Sequence, residues 1–221
     1  VNGSHRDSRY HDVAFLFLVG EVSNAAVMYR LGRLRGDEHG SLLRRVLRSS
    51  ADVVWLPKAP SEDRGTRHLL VLGSFAGIGS AIVAARRLPE FEIPADCRAL
   101  RGIARVVGLL GVGLRVYGMW TLGASASQFV DPKSNVALVT RGPYAVIRHP
   151  AYAGAFLQFT ATGLLLRNWC SAACGALVPA VARVPRLLHE EATLRETFGE
   201  TYDAYAERTP RFVPRLRRLR R

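Results

Sequence analysis

Tyr144, His149 and Tyr152 fall between Thr140 and Gly154, in a stretch broken at Gly142-Pro143 and again at His149-Pro150. Each proline lacks a backbone donor and pushes the preceding residue out of the helical region, so the chain must turn at both points. Pro150 suits the first position of a helix, which leaves His149 and the amides of Ala151 and Tyr152 at that helix's N-terminus. Amides there carry partial positive charge and suit a carboxylate or another acceptor. A second charged set follows at Arg186 and Glu190, four residues apart and therefore on one face of a helix. From pattern alone, two readings stay open for these groups. They form one site, or they are a polar interfacial loop and a solvated ion pair contributing about 0.3 kcal/mol.

Long apolar runs alternate with strongly basic connectors over the 221 residues, although the mean hydropathy is only +0.06. The net charge of +13 admits nucleic acid or an anionic membrane surface as partner. Because the arginines flank the apolar runs, the pattern is that of charge at a membrane surface, and it argues against nucleic acid. Cys97, Cys170 and Cys174 have no histidine at ligand spacing. They read as packing residues, with no metal site, in a chain whose polar loops face a reducing compartment. Val1 in place of Met suggests a truncated or processed start.

Five apolar runs must position the charged groups. Val13 to Tyr29 carries Glu21, which in lipid should face other helices or water. Within the basic stretch 30–67, residues 42–56 read as a cationic amphipathic piece at the interface. His68 to Ala85 holds Gly73 and Gly77 at the spacing that lets helices approach closely. Ile103 to Leu122 contains Arg115, which should point into the bundle toward an anionic partner unless its end leaves the bilayer core. Ala151 to Leu166 and Trp169 to Ala182, separated by Arg167-Asn168, read as a tight antiparallel hairpin, its second arm bent by Pro179 and Pro185. The glycines of these runs give no dinucleotide fingerprint, because no strand precedes them. With five crossings, 22 Lys and Arg fall on one side against 7 on the other. The positive-inside bias places Thr140–Gly154 and the C-terminal segment together in the cytoplasm. The fold class expected is all-α, a polytopic integral membrane bundle of about five transmembrane helices with a cytoplasmic C-terminal helical region. Residues 1–102 would form the N-terminal helices and basic loop, and 103–221 the functional core.

Thr140–Gly154, the short hairpin, Arg186 to Glu191, and Phe198-Gly-x-x-Tyr202-x-x-Tyr205 with Arg211-Phe-Val-Pro214 follow one another in order. Together they resemble the isoprenylcysteine carboxyl methyltransferase family, related to the membrane phospholipid methyltransferases, over roughly residues 100–215. The resemblance implies an integral membrane enzyme using S-adenosylmethionine in a pocket unlike that of soluble Rossmann methyltransferases. Carried over by position, the cofactor contacts would be Gln128, Val136, Ala137, Leu138, Val139, Tyr144, His149, Pro150, Ala151, Tyr152 and Glu190. The arginine for the substrate carboxylate, and the one catalytic residue, would be Arg186. The chain departs from the family at Leu188-His189, where a longer acidic run is usual, and at Pro185 beside Arg186.

The residue types suit that chemistry. A sulfonium centre is favoured by carboxylate and aromatic faces, which Tyr144, Tyr152 and Glu190 could supply. A carboxylate acceptor is ionised near pH 7 and needs a positive clamp rather than a base. The expected activity is therefore O-methylation of a lipophilic, isoprenylcysteine-like carboxylate entering from the bilayer. One alternative is N-methylation of an amine or another lipid head group, with help from His189 or Glu191. A non-catalytic scaffold or small transporter, in which Arg115, Arg186 and Glu190 are bundle ion pairs, is the reading from another class.

Overall fold

The computed structural model describes residues 3–34, 66–94, 97–123 and 137–215. The helices are α1 (Gly3–Leu34), α2 (Thr66–Arg87), α3 (Arg98–Leu122), α4 (Pro150–Leu165), α5 (Trp169–Phe198) and α6 (Glu200–Arg208). Short 3₁₀ turns stand at Pro89–Phe91 and Gly142–Ala145. The described residues contain no strand beyond an isolated bridge between Glu92 and Asn168, so the all-α expectation holds. The amphipathic piece at 42–56, Gln128 and Val136 lie outside the described residues, as does the side chain of Glu21.

α4 and α5 form the expected hairpin, and its turn is specified locally. Arg167 takes a left-handed φ of 58°, and Asn168 caps α5 by accepting from the Ser171 amide at 2.9 Å. α5 then continues without interruption to Phe198, well past the apolar run and through Pro179 and Pro185. It ends where Gly199 turns left-handed at φ 51°, and α6 leaves in a new direction.

α2 lies along α5 and α3 along α4, while α1 packs on α3 and α4. Small residues set both main approaches. A Cβ on Gly77 would strike the Pro179 ring, and one on Gly73 the Cβ of Ala182, so the four-residue glycine pair does seat α2 on α5. Between α3 and α4, a Cβ on Gly111 would stand 2.6 Å from the Gly154 carbonyl oxygen. Leu16, Ala104, Val112, Ala161 and Leu165 make the core where α1, α3 and α4 meet.

Large apolar side chains point outward. Leu72 is 64% exposed, Leu110 62% and Val181 68%. A bundle that buries small residues and turns Leu, Val and Phe outward is matched to lipid rather than water. Residues 68–87 of α2, and α5, are each long and apolar enough to cross a membrane.

Candidate active site

Tyr144 reaches the site because Gly142, at φ 61°, and Pro143 turn the incoming chain into a 3₁₀ turn that buries it. Tyr205 of α6 fixes that turn by donating its hydroxyl to the Tyr144 carbonyl at 2.7 Å. Six residues after Tyr144, Pro150 opens α4 at its first position, as expected, and His149 occupies the cap position without using its side chain as a cap. The imidazole turns instead to α5, where Nε2 lies 3.0 Å from a Glu191 carboxylate oxygen.

Glu191 is the hub of this end. Arg211 donates to its two oxygens at 3.0, 3.2 and 2.6 Å, and Arg148 stands 3.3 Å away. Backbone bonds run parallel to these ion pairs, with the Arg148 amide on the Pro210 carbonyl at 2.8 Å and the His149 amide on the Arg211 carbonyl at 3.2 Å. The loop before α4, helix α5 and the segment after α6 are thus tied at one carboxylate. Burial pushes the His149 imidazole below its usual value, against the Glu191 hydrogen bond, the fields of Glu190 and Glu191, and with that of Arg148. His149 therefore stands neutral near pH 7, with Nε2–H available to the carboxylate. Burial likewise pushes Tyr205 up to about 12, keeping its hydroxyl a donor.

Glu190 and Glu191 are neighbours on α5 but point about 100° apart around the helix. Glu190 faces a different set. Arg186 lies 3.6 Å from it, one turn back, and the Tyr152 hydroxyl hydrogen-bonds with both. Tyr144 and His149 also lie within the field of Glu190. Arg186 is buried and reaches Thr66 Oγ1 at the start of α2 at 3.5 Å. The structure accordingly brings together Tyr144, His149, Pro150, Ala151, Tyr152, Arg186 and Glu190. Ala137 is exposed, whereas Leu138 and Val139 are half-buried in the extended chain that leads to the 3₁₀ turn. Arg115 does turn into the bundle, where it donates toward the Gln158 amide oxygen at 3.5 Å. Among the described residues no three His, Cys, Asp or Glu side chains cluster as a metal site.

Sequence reasoning assigned no structural role to Glu191, Arg148, Arg211 or Tyr205. Arg211 and Tyr205 stood inside the recognised motif, but nothing in their spacing names a partner 20 or 61 positions away.

The segment that builds most of the site, residues 100–201, matches the family model described as phospholipid methyltransferase. Similar proteins narrow that class. The chain is 38% identical over 135 residues to the protein-S-isoprenylcysteine O-methyltransferase of Schizosaccharomyces pombe, covering 60% of this chain and 57% of that one. It is also 34% identical over 111 residues to the nickel-cobalt-cadmium resistance protein NccN of Alcaligenes xylosoxydans xylosoxydans, covering 50% and 49%. The solved structure of a eukaryotic intramembrane Ras methyltransferase, ICMT, superposes with a TM-score of 0.55 at 24% identity, over 78% of this chain and 63% of that one. The motif resemblance thus holds, and the fold is similar to that of the solved intramembrane methyltransferase. The chain spans about half the length of the curated relatives it matches.

Proposed function

We propose that this protein is an S-adenosylmethionine-dependent membrane methyltransferase that methylates the carboxylate of a lipophilic, isoprenylcysteine-like acceptor. The observation that carries the reading is the convergence of Tyr144, His149, Tyr152, Arg186 and Glu190 at one end of the bundle, mostly within the segment that matches the family model. The residues fit the cofactor's chemistry. A carboxylate and two tyrosines surround one point, and the amides of Ala151 and Tyr152 head α4 beside it. Bound S-adenosylmethionine supplies a methyl group on a sulfonium sulfur, which keeps the bonding electron pair and leaves as a neutral thioether. Glu190 and the tyrosine rings stabilise positive charge at that point. The amides of Ala151 and Tyr152 orient the rest of the cofactor, together with Gln128, Val136 and Ala137 to Val139, which the resemblance assigns to it.

Arg186 clamps the acceptor carboxylate through two parallel N–H bonds, and one carboxylate oxygen forms the new C–O bond. No base is needed, because the acceptor is already ionised near pH 7. Alignment and exclusion of water then supply most of the acceleration. The chain crosses the membrane five times, with its catalytic core over residues 103–221 and its site facing the cytoplasm, where the basic loops meet anionic lipid.

The name of the matching family model favours a second reading, methylation of an amine head group in the same pocket. Transfer of labelled methyl from S-adenosylmethionine to S-farnesyl-N-acetylcysteine or to phosphatidylethanolamine, in mixed micelles, separates the two. The prenylcysteine should be labelled by the wild type and not by Arg186→Ala, with S-adenosylhomocysteine binding retained in the variant. Labelling of the amine lipid alone would overturn the carboxylate reading.

A further inference from the structure

Arg183 lies one turn before Arg186 on α5, at the edge of the apolar run. Its guanidinium is half-buried and its partners are neutral. Nη1 donates to the Pro179 carbonyl at 2.8 Å, Nη2 donates to the Ser74 hydroxyl of α2 at 2.9 Å, and the group stacks 5.0 Å from the centre of the Phe159 ring. Among the described side chains, positive charge lies nearby and no carboxylate does. Arg115 lies within its field, and α2, α3 and α4 contain no acidic residue at all. On α5 the first carboxylate is Glu190, engaged with Arg186 and Tyr152. A half-buried guanidinium at the edge of an apolar run, with no carboxylate partner among the described residues, is expensive, and such residues mark the paths of charged ligands.

Its position gives this charge a direction. Residues 183, 186 and 190 lie along one face of α5, the two arginines about 4.5 Å apart along the axis. The same face meets Tyr152 and Phe159 of α4, seven positions apart and therefore aligned on that helix. A lipid entering from the bilayer meets Arg183 before Arg186.

We propose that Arg183 is a second anion-holding residue of the acceptor site, gripping the acceptor's carboxylate from the bilayer side while Arg186 holds it from the cofactor side. The proposal rests on the carboxylate reading above and names the acceptor as an anionic lipid whose charge sits at the head of an apolar chain. The Phe159 ring and the two neutral bonds hold the guanidinium flat, so its remaining N–H groups present a fixed edge to a carboxylate.

The rival role is a strut that ties α2 to α5 through Ser74. A binding experiment separates the two. S-farnesyl-N-acetylcysteine and its carboxamide are titrated into detergent-solubilised protein, and the ratio of their dissociation constants is compared among variants. The wild type should bind the carboxylate at least about 10-fold more tightly, since one charge-assisted pair is worth roughly that factor. Arg183→Gln, which leaves Arg186 in place, should lower that ratio at least about 3-fold with carboxamide binding unchanged, and Arg183→Lys should fall between. Ser74→Ala removes the strut bond and should leave the ratio at the wild-type value. A wild-type ratio near one, or an Arg183→Gln variant that keeps the wild-type ratio, overturns the proposal. Absence of S-adenosylhomocysteine binding by a wild type that still prefers the carboxylate would remove methyl transfer and leave the anion site standing.

Discussion

The two ends of the bundle are both polar, yet they use their polar groups differently. At the hairpin-turn end, Arg167 donates to the Ile93 carbonyl, Asn168 to the Leu88 carbonyl, and Ser171 to the Ala81 carbonyl, at 2.9, 2.7 and 2.6 Å. These bonds stitch the α4–α5 turn to α2 and to the connector between α2 and α3. Arg105 grips Asp12 with bonds of 2.7 and 2.9 Å, and Arg9 pairs with Glu92, so α1 joins the same clamp. At the opposite end, side chains bond to side chains across three segments, and tyrosines stand among charges. Backbone carbonyls are fixed in number and place, so a cluster that ends on them is closed. A cluster of carboxylate, guanidinium and phenol groups can exchange a partner for a ligand. The hairpin-turn end also holds the ion pairs Arg105–Asp12, Arg9–Glu92 and Arg167–Glu92, so what separates scaffold from site is the buried, carbonyl-ended core of the turn against the tyrosines and charges gathered around Glu190.

The largest effect that would break this comparison is expected at the one site-end group that behaves like the clamp. Glu191→Ala leaves Arg148, His149 and Arg211 facing a missing carboxylate. Breaking a buried pair in this way should cost about 3 kcal/mol, seen as a lower Tm in detergent. Glu191→Gln, which keeps hydrogen-bonding capacity, should recover part of the loss. At the other end, Asn168→Ala removes the α5 cap and the bond to Leu88. It should cost about 1 to 2 kcal/mol while cofactor affinity in the folded protein stays at the wild-type value. A drop in affinity as large as that at the site end would erase the distinction between the two regions.

Smaller still is the pH effect. His149 is held below its ordinary value by burial, so its contribution is fully present above the unfolded value near 6.5 and is lost as pH falls through and below it. Tm should therefore decline between pH 7 and pH 5.5, by at most about 1.4 kcal/mol of stability per pH unit. His149→Gln should flatten this slope. The hairpin-turn cluster has no histidine partner among the described residues and should add nothing to it.

How far these regions could be read in advance follows from the range of their interactions. The hairpin was legible because Arg167-Asn168 interrupts two apolar runs, and the start of α4 because proline fixes it locally. The Thr140–Gly154 motif named most of the residues that now surround Tyr152. The resemblance assigned Glu190 to the cofactor, but sequence could not assign the partners of Glu191. Adjacent carboxylates look alike until the rotation of α5 turns one to Tyr152 and the other to His149 and Arg211. Helix ends in the charged segments were also hidden. α1 extends beyond its apolar run at both ends, its N-terminal flank carrying the Arg9–Glu92 and Asp12–Arg105 pairs, and Gly199 divides the C-terminal segment where helical spacing alone continued. The clamp escaped notice for the same reason as the Glu191 hub, since its bonds join residues 74 to 90 positions apart.

Calorimetric titration of S-adenosylhomocysteine into the detergent-solubilised protein, beside Glu190→Ala, Tyr152→Ala and Asn168→Ala, tests the central claim most directly. The account predicts saturable binding that the first two substitutions weaken at least about 10-fold and the third leaves unchanged. No binding to a folded wild type, or equal weakening by all three variants, would contradict it.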